Sequence, residues 1–240
     1  LQGLGPGDID FVILRENVEG LFASMNGGIE LRGEVAVDSM VITRSGTERV
    51  VRYAFELARQ RGKKPMKVTC VDKANVFKSM AFFRAIYDEV AANYADVERD
   101  YAYVDALSMY LVQRPQSYDV MVAENMYGDI ISDLAAGLVG GLGMAPSGDI
   151  GEDAAVFQPS HGTAPDIAGR GLANPIAMVL SAALMLRWLG DRAGDGAAHE
   201  GAERIEAAVR AVVGAGGVGT PDLGGAMTSG ELGARIVEAL

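Results

Sequence analysis

Between residues 47 and 138 helical periodicity alternates with short apolar runs, and this limits the fold more than any other feature of the chain. In residues 47–61, Val50, Val51, Tyr53, Ala54, Leu57 and Ala58 recur on one side at helical spacing. Residues 66–71 read as a strand, and residues 74–94 read as a long amphipathic helix. A strand edge is expected at 102–104, followed by a helix through Val112. Residues 120–123 read as another buried strand, and the helix after it runs through 135–138 to Gly140-Gly141. Alternation of this kind is the signature of an α/β fold with a mostly parallel sheet covered on both faces. An apolar run at 9–14 adds one more strand, and the Gly-broken segment 20–40 suits an antiparallel arm or hairpin. Residues 145–175 are rich in Gly, Pro, Ser and Asp and are expected to be one long irregular segment, which inside a compact domain is usually functional. Further helices are expected at 176–189, 199–213 and 230–239.

A length of 240 residues allows one large domain or two modest ones. The formal charge of −11 argues against nucleic acid or an anionic membrane as partner, since both need a positive footprint. It leaves room for an anionic small molecule met by local Arg and Lys. No apolar run approaches the ~20 residues of a membrane span. The single cysteine, Cys70, excludes an internal disulfide and makes a reducing cytoplasm the simplest setting. Flanked by Val68, Thr69 and Val71, it reads as a buried strand residue.

The segment Asn125-Met-Tyr-Gly-Asp-Ile-Ile-Ser-Asp133 places Asp129 and Asp133 four residues apart. On a helix both would project from one face, about one turn apart, with Gly128 turning the chain just before it. Two carboxylates so close suit a hard divalent ion such as Mg²⁺ or Mn²⁺. On spacing alone a solvated acidic helix start explains them as well. Lys73 follows a predicted strand, where it could reach a ligand in the crevice of an open sheet or simply lie solvated. Arg15 ends another, with a fork that matches a carboxylate or pairs with Glu16, Glu19 or another acid. Asp105 sits in an apolar patch and could be a helix cap. The turn-rich stretch 158–175 holds His161, Asp166 and Asn174; an Asp there can accept both hydroxyls of a ribose, while a structural loop of Asx turns fits equally. No G-x-G-x-x-G follows a strand, so a standard Rossmann site is not supported.

Taken in order, these pieces resemble the β-decarboxylating dehydrogenases, the family of isopropylmalate, isocitrate, homoisocitrate and tartrate/D-malate dehydrogenases. The resemblance rests on Leu14-Arg15-Glu16-Asn17-Val18-Glu19-Gly20, Val71-Asp72-Lys73-Ala74-Asn75-Val76, Val104-Asp105, Glu124 through Asp133, Gly140 through Ser147, and His161-Gly-Thr-Ala-Pro-Asp-Ile-Ala-Gly169 with Asn174-Pro175. It implies a two-domain α/β sandwich: residues 1–140 as a small dimerising domain with an antiparallel arm, and 141–240 as the last part of a large cofactor domain. It also implies roughly a hundred further residues ahead of the chain, judged by a usual two-domain size. The activity implied is NAD- and metal-dependent oxidative decarboxylation of a malate-type 2-hydroxy dicarboxylic acid, most like 3-isopropylmalate, by a cytoplasmic homodimer with shared sites.

The resemblance also assigns roles. Asp129 and Asp133 would bind Mg²⁺ or Mn²⁺ together with Asp105 from the partner subunit. Lys73, also from the partner, and Asp129 would be catalytic, and Arg15 and Asn75 would hold substrate. His161, Gly162, Thr163, Ala164, Pro165, Asp166 and Asn174 would hold the cofactor, with the Asp166 carboxylate favouring NAD over NADP. One departure stands out: where the family has a proton-donating Tyr, seven residues after the Arg, this chain has Phe22, which has no proton to give. That leaves open oxidation without decarboxylation, or a non-catalytic regulatory subunit of the same fold.

Overall fold

The computed structural model describes residues 3–5, 7–25 and 27–240. They divide into two compact units, Leu1–Ala135 and Ala136–Leu240.

The first unit is built on a four-stranded sheet of β1 (Val12–Arg15), β4 (Lys67–Asp72), β5 (Glu98–Tyr103) and β6 (Val120–Ala123), in the order β1-β6-β4-β5. Every pairing in it is parallel, with Val12 opposite Val120, Val68 opposite Val120, and Lys67 opposite Glu98. The central strand β6 is buried at all four positions, and β4 at all but its first; β6 appears in the sequence as an unbroken apolar run and β4 as an apolar stretch broken by Thr69. The edge strand β5 is largely exposed, so its apolar signal is weak, and it begins four residues earlier than expected. Cys70 lies fully buried in β4.

Helices α1 (Arg44–Arg61) and α2 (Lys78–Ala91) pack on the sheet and on each other. Phe55 of α1 stacks on Tyr94 at 4.9 Å and meets Tyr87 of α2 at 5.5 Å, and the Tyr87 hydroxyl donates to the Val68 carbonyl at 2.8 Å. Thr43 caps α1 by accepting from the Gly46 N–H. The expected helix at 74–94 starts only at Lys78. Asp72 accepts the Ala74 N–H at 2.8 Å and Lys73 accepts two further N–H groups, so the chain turns before it coils. Helix α3 (Val104–Gln113) follows β5 directly, and α4 (Asn125–Leu138) follows β6 after one residue. The expected arm is present as the antiparallel pair β2 (Ile29–Leu31) and β3 (Val35–Val37), with all six residues exposed.

The second unit corrects the expectation of a single irregular segment at 145–175. An antiparallel hairpin of β7 (Pro146–Ile150) and β8 (Ala155–Pro159) occupies its first half. Its Gly and Pro content hides it: Gly148 leaves room for the Phe157 ring opposite, and the Gly151 N–H closes the turn onto the Ala154 carbonyl. Helices α5 (Ile176–Ala193), α6 (Gly196–Gly214) and α7 (Ser229–Glu238) complete the unit. Its core gathers Ile176, Ala208, Val209, Val212, Leu232 and Ile236. Among the described residues no helix is long and apolar enough to cross a membrane.

Candidate functional site

The four strands of the parallel sheet run the same way, so their carboxyl ends lie along one edge. Arg15 is the last residue of β1, Lys73 follows the last residue of β4, Asp105 lies two residues past β5, and Asn125 lies two past β6. In open α/β sheets this edge is where ligands bind.

Arg15 reaches onto α4. Its Nε donates to Asn125 Oδ1 at 2.8 Å and its Nη1 forms an ion pair with Asp129 Oδ1. Asn125 is itself fixed, its Nδ2 donating to the Glu19 carbonyl at 2.8 Å. The acids beside Arg15 in sequence do other work. Glu16 is buried, pairs with Arg49 at 2.9 Å and accepts the Val18 and Glu19 N–H groups. Glu19 accepts the backbone N–H and hydroxyl of Thr43.

Gly128 is inside α4, so the expectation of a turn just before the helix is wrong. Its absent side chain instead admits Arg15: a Cβ there would lie 2.8 Å from both Cβ and Cγ of Arg15. Gly128→Ala is therefore expected to cost about 1–3 kcal/mol through overpacking and to push Arg15 off Asp129. A urea titration against the unaltered protein checks the stability, and a variant as stable as the parent would contradict this close fit.

The helix opens on Glu124, whose two carboxylate oxygens accept the Met126 and Tyr127 N–H groups at 3.1 and 2.7 Å. Burial pushes the Glu124 carboxyl above the usual carboxylate range, against those two hydrogen bonds. Gly20, at φ 81°, passes so close that a Cβ would lie 2.5 Å from Glu124 Oε2. Sequence reading missed both Glu124 and Asn125 as supports of the site; the one signal on offer was the general preference for acids near a helix start.

Asp129 and Asp133 stand one turn apart on α4, as their spacing requires; Asp133 is exposed, and the Asp129 side chain keeps 47% of its surface open. Among the described residues, no three His, Cys, Asp or Glu side chains gather closely enough to hold a metal ion. The pair supplies two hard oxygen donors, which fits Mg²⁺ or Mn²⁺ in kind and leaves the remaining positions to be filled from elsewhere.

Lys73 is no free surface lysine. Only 22% of its side chain is exposed, its ammonium binds Asp105 Oδ1 at 2.6 Å, and it lies 5.6 Å from the centre of the Tyr103 ring. Asp105 sits in the first turn of α3, whose capping position is Tyr103, and the Lys73 hydrogen bond holds its carboxyl below the usual range. Asn75 is exposed in the turn after Lys73. Phe22 lies in a short 3₁₀ turn, Leu21–Ser24, with its ring centre 5.3 Å from the Arg15 guanidinium carbon.

In the second unit the residues from Gly162 to Asp166 are exposed, and a 3₁₀ turn, Pro165–Ile167, carries Asp166 outward. Ala164 enters that turn at φ 43°, a left-handed conformation seldom adopted by a residue with a Cβ. His161 Nδ1 lies 2.8 Å from the Gly162 carbonyl. Asn174 is buried and used internally: Oδ1 accepts the Ile176 N–H that opens α5, and Nδ2 donates to Asp222 at 3.0 Å. An exposed carboxylate beside a glycine-opened backbone has the chemistry to accept ribose hydroxyls.

Comparison with known proteins agrees with this arrangement. The family described as isocitrate/isopropylmalate dehydrogenase matches residues 3–236. The chain is 46% identical over 234 residues to 3-isopropylmalate/3-methylmalate dehydrogenase of Methanocaldococcus jannaschii, covering 96% of this chain and 67% of that protein. It is 42% identical to homoisocitrate dehydrogenase of the same organism, covering 98% of this chain and 64% of that one. The crystal structure of isocitrate dehydrogenase from Methylococcus capsulatus superposes with a TM-score of 0.87 at 45% identity, covering 95% of this chain and 66% of that one. The chain thus spans about two thirds of the length of these relatives, and it belongs to the isocitrate/isopropylmalate dehydrogenase family.

Proposed function

We propose that this chain belongs to an NAD- and divalent-metal-dependent dehydrogenase that oxidises and decarboxylates a malate-type 2-hydroxy dicarboxylic acid, with 3-isopropylmalate the nearest likeness. One observation carries the reading: Arg15, Lys73, Asp105 and the α4 acids all stand at the carboxyl end of one parallel sheet. Arg15 would offer its fork to a substrate carboxylate, with Asn75 as a second polar contact. Asp129 and Asp133 would hold the ion, and Asp105 of a second copy would add a third oxygen. Lys73 of that copy, shielded from bulk water, would carry away the hydroxyl proton. When bound, the ion would polarise the 2-hydroxyl and steady the charge left as CO₂ departs, and the nicotinamide would accept the hydride.

Asp166, on its exposed turn, suits the free ribose hydroxyls of NAD and would repel a 2′-phosphate. Residues 161–166 with Asn174 would shape that cofactor site. Residues 1–140 would form the dimerising, substrate-side domain, and 141–240 part of the cofactor domain, of a cytoplasmic homodimer. The exposed apolar arm, with Ile29, Leu31, Val35 and Val37 each about half open, supports a second copy packing there. NADH formation and CO₂ release, measured with Mn²⁺ over isopropylmalate, isocitrate, D-malate and tartrate using full-length protein, test the reading. No NADH with any acid would sink it.

Phe22 favours a second reading, oxidation with slow or absent decarboxylation, because the ring beside Arg15 carries no proton. NADH without CO₂ would support it. Phe22→Tyr, at a position 37% exposed and able to take a hydroxyl, is expected to raise CO₂ release about tenfold. An unchanged rate would remove this position from the proton path.

A further inference from the structure

The cation assigned to the substrate and the one assigned to the proton are each paired, within this chain, with a carboxylate assigned to the metal: Arg15 with Asp129, and Lys73 with Asp105. The first pair is built rather than incidental. The Arg15 fork is aimed by Asn125, which is anchored to the Glu19 carbonyl. Its stem lies against the bare backbone of Gly128, and the Phe22 ring lies 5.3 Å from the guanidinium. Three contacts thus hold one positive charge on the carboxylate that a divalent ion would need.

We propose that the Arg15–Asp129 pair is a latch: Asp129 becomes available to a divalent ion only when a carboxylate of the incoming acid draws Arg15 away. The inference rests on the metal and substrate reading above. Its physical basis is charge. A bare divalent ion at Asp129 meets a guanidinium already in contact with its ligand, and the two cations repel. A divalent ion entering with a dicarboxylate brings no net charge, and the two negative groups and two positive groups exchange partners without leaving one uncompensated. Ion and acid therefore bind with mutual reinforcement, and neither binds well alone.

Mn²⁺ binding to the full-length protein, followed by the paramagnetic resonance signal of the free ion without cofactor or turnover, tests this directly. Without acid, Arg15→Gln is expected to bind Mn²⁺ about three- to tenfold more tightly than the parent. An alkylsuccinate, which lacks the 2-hydroxyl and is a poor chelator, is expected to tighten Mn²⁺ binding in the parent and to have no such effect in Arg15→Gln. Unchanged or weaker Mn²⁺ binding by Arg15→Gln, or no effect of the alkylsuccinate on the parent, would overturn the latch while leaving the metal site standing. Asp129→Asn separates the two levels: it is expected to lose Mn²⁺, and if it binds as the parent does, the metal reading falls and the latch with it.

Discussion

Asp133→Asn is expected to lower metal-dependent turnover about a hundredfold or more while leaving the unfolding midpoint where it is. The two halves of that expectation come from different properties of the same position. Asp133 lies on the exposed side of α4, one turn beyond Asp129, and the buried contacts of that helix are made by others, such as Ile131 and Ala135. An isosteric replacement at an exposed helical position changes stability by about 0.5 kcal/mol at most. The amide keeps one oxygen but loses the charge that attracts a hard cation, and the second amide position is a donor, which repels one. Initial rates of NADH formation against Mn²⁺ concentration, set beside a denaturation curve, decide the matter. Full activity with parental metal dependence would show that Asp133 is not a ligand, and α4 would then be an acidic helix with a solvated face.

That weaker alternative was open in the sequence because D-x-x-x-D fixes spacing and nothing else. What the sequence made legible was whatever follows from local pattern. β6 is a buried parallel strand and stands out as an apolar run, and β4 is mostly apolar; α1, α6 and α7 show their helical period, and α5 a long apolar stretch. β5 and the β7–β8 hairpin were blurred because an edge strand and a Gly-rich ribbon lack that contrast. The motifs named the residues at the sheet's carboxyl edge without saying which of them touch. Arg15 and Asp129 are 114 positions apart and Lys73 and Asp105 are 32 apart, and only the fold brings each pair together. Gly128 was misread for the same reason: its neighbour that matters is Arg15, far away along the chain. Nearby Glu16 and Glu19 were the natural partners for Arg15 on sequence grounds, yet Glu16 is committed to the turn that follows β1 and Glu19 to Thr43, the cap of α1.

Asp72→Ala is expected to destabilise the first unit by about 3 kcal/mol. Asp72 is fully buried at the end of β4 and does three things at once. It takes both Nε and Nη2 of Arg84 at 2.7 and 2.8 Å, and it accepts the Ala74 N–H at 2.8 Å. Arg84 also lies over the rings of Tyr101 and Tyr103, at 5.2 and 5.3 Å, so its charge is drawn inward and is 27% exposed. Removing the carboxylate strands that guanidinium and leaves the Ala74 N–H without its partner, and such orphaned groups cost far more than an intact pair contributes. The effect should reach the site. The Ala74 turn delays α2 to Lys78 and holds Lys73 at the strand end, where it meets Asp105. A urea titration monitored by amide exchange of β4 gives the magnitude, and the double variant Asp72→Ala with Arg84→Met gives the cause. If the stranded charge is the main cost, the double variant should recover about half of the loss. Additive losses would mean that the Asx turn, and the placement of Lys73 it secures, is the larger part of what Asp72 contributes.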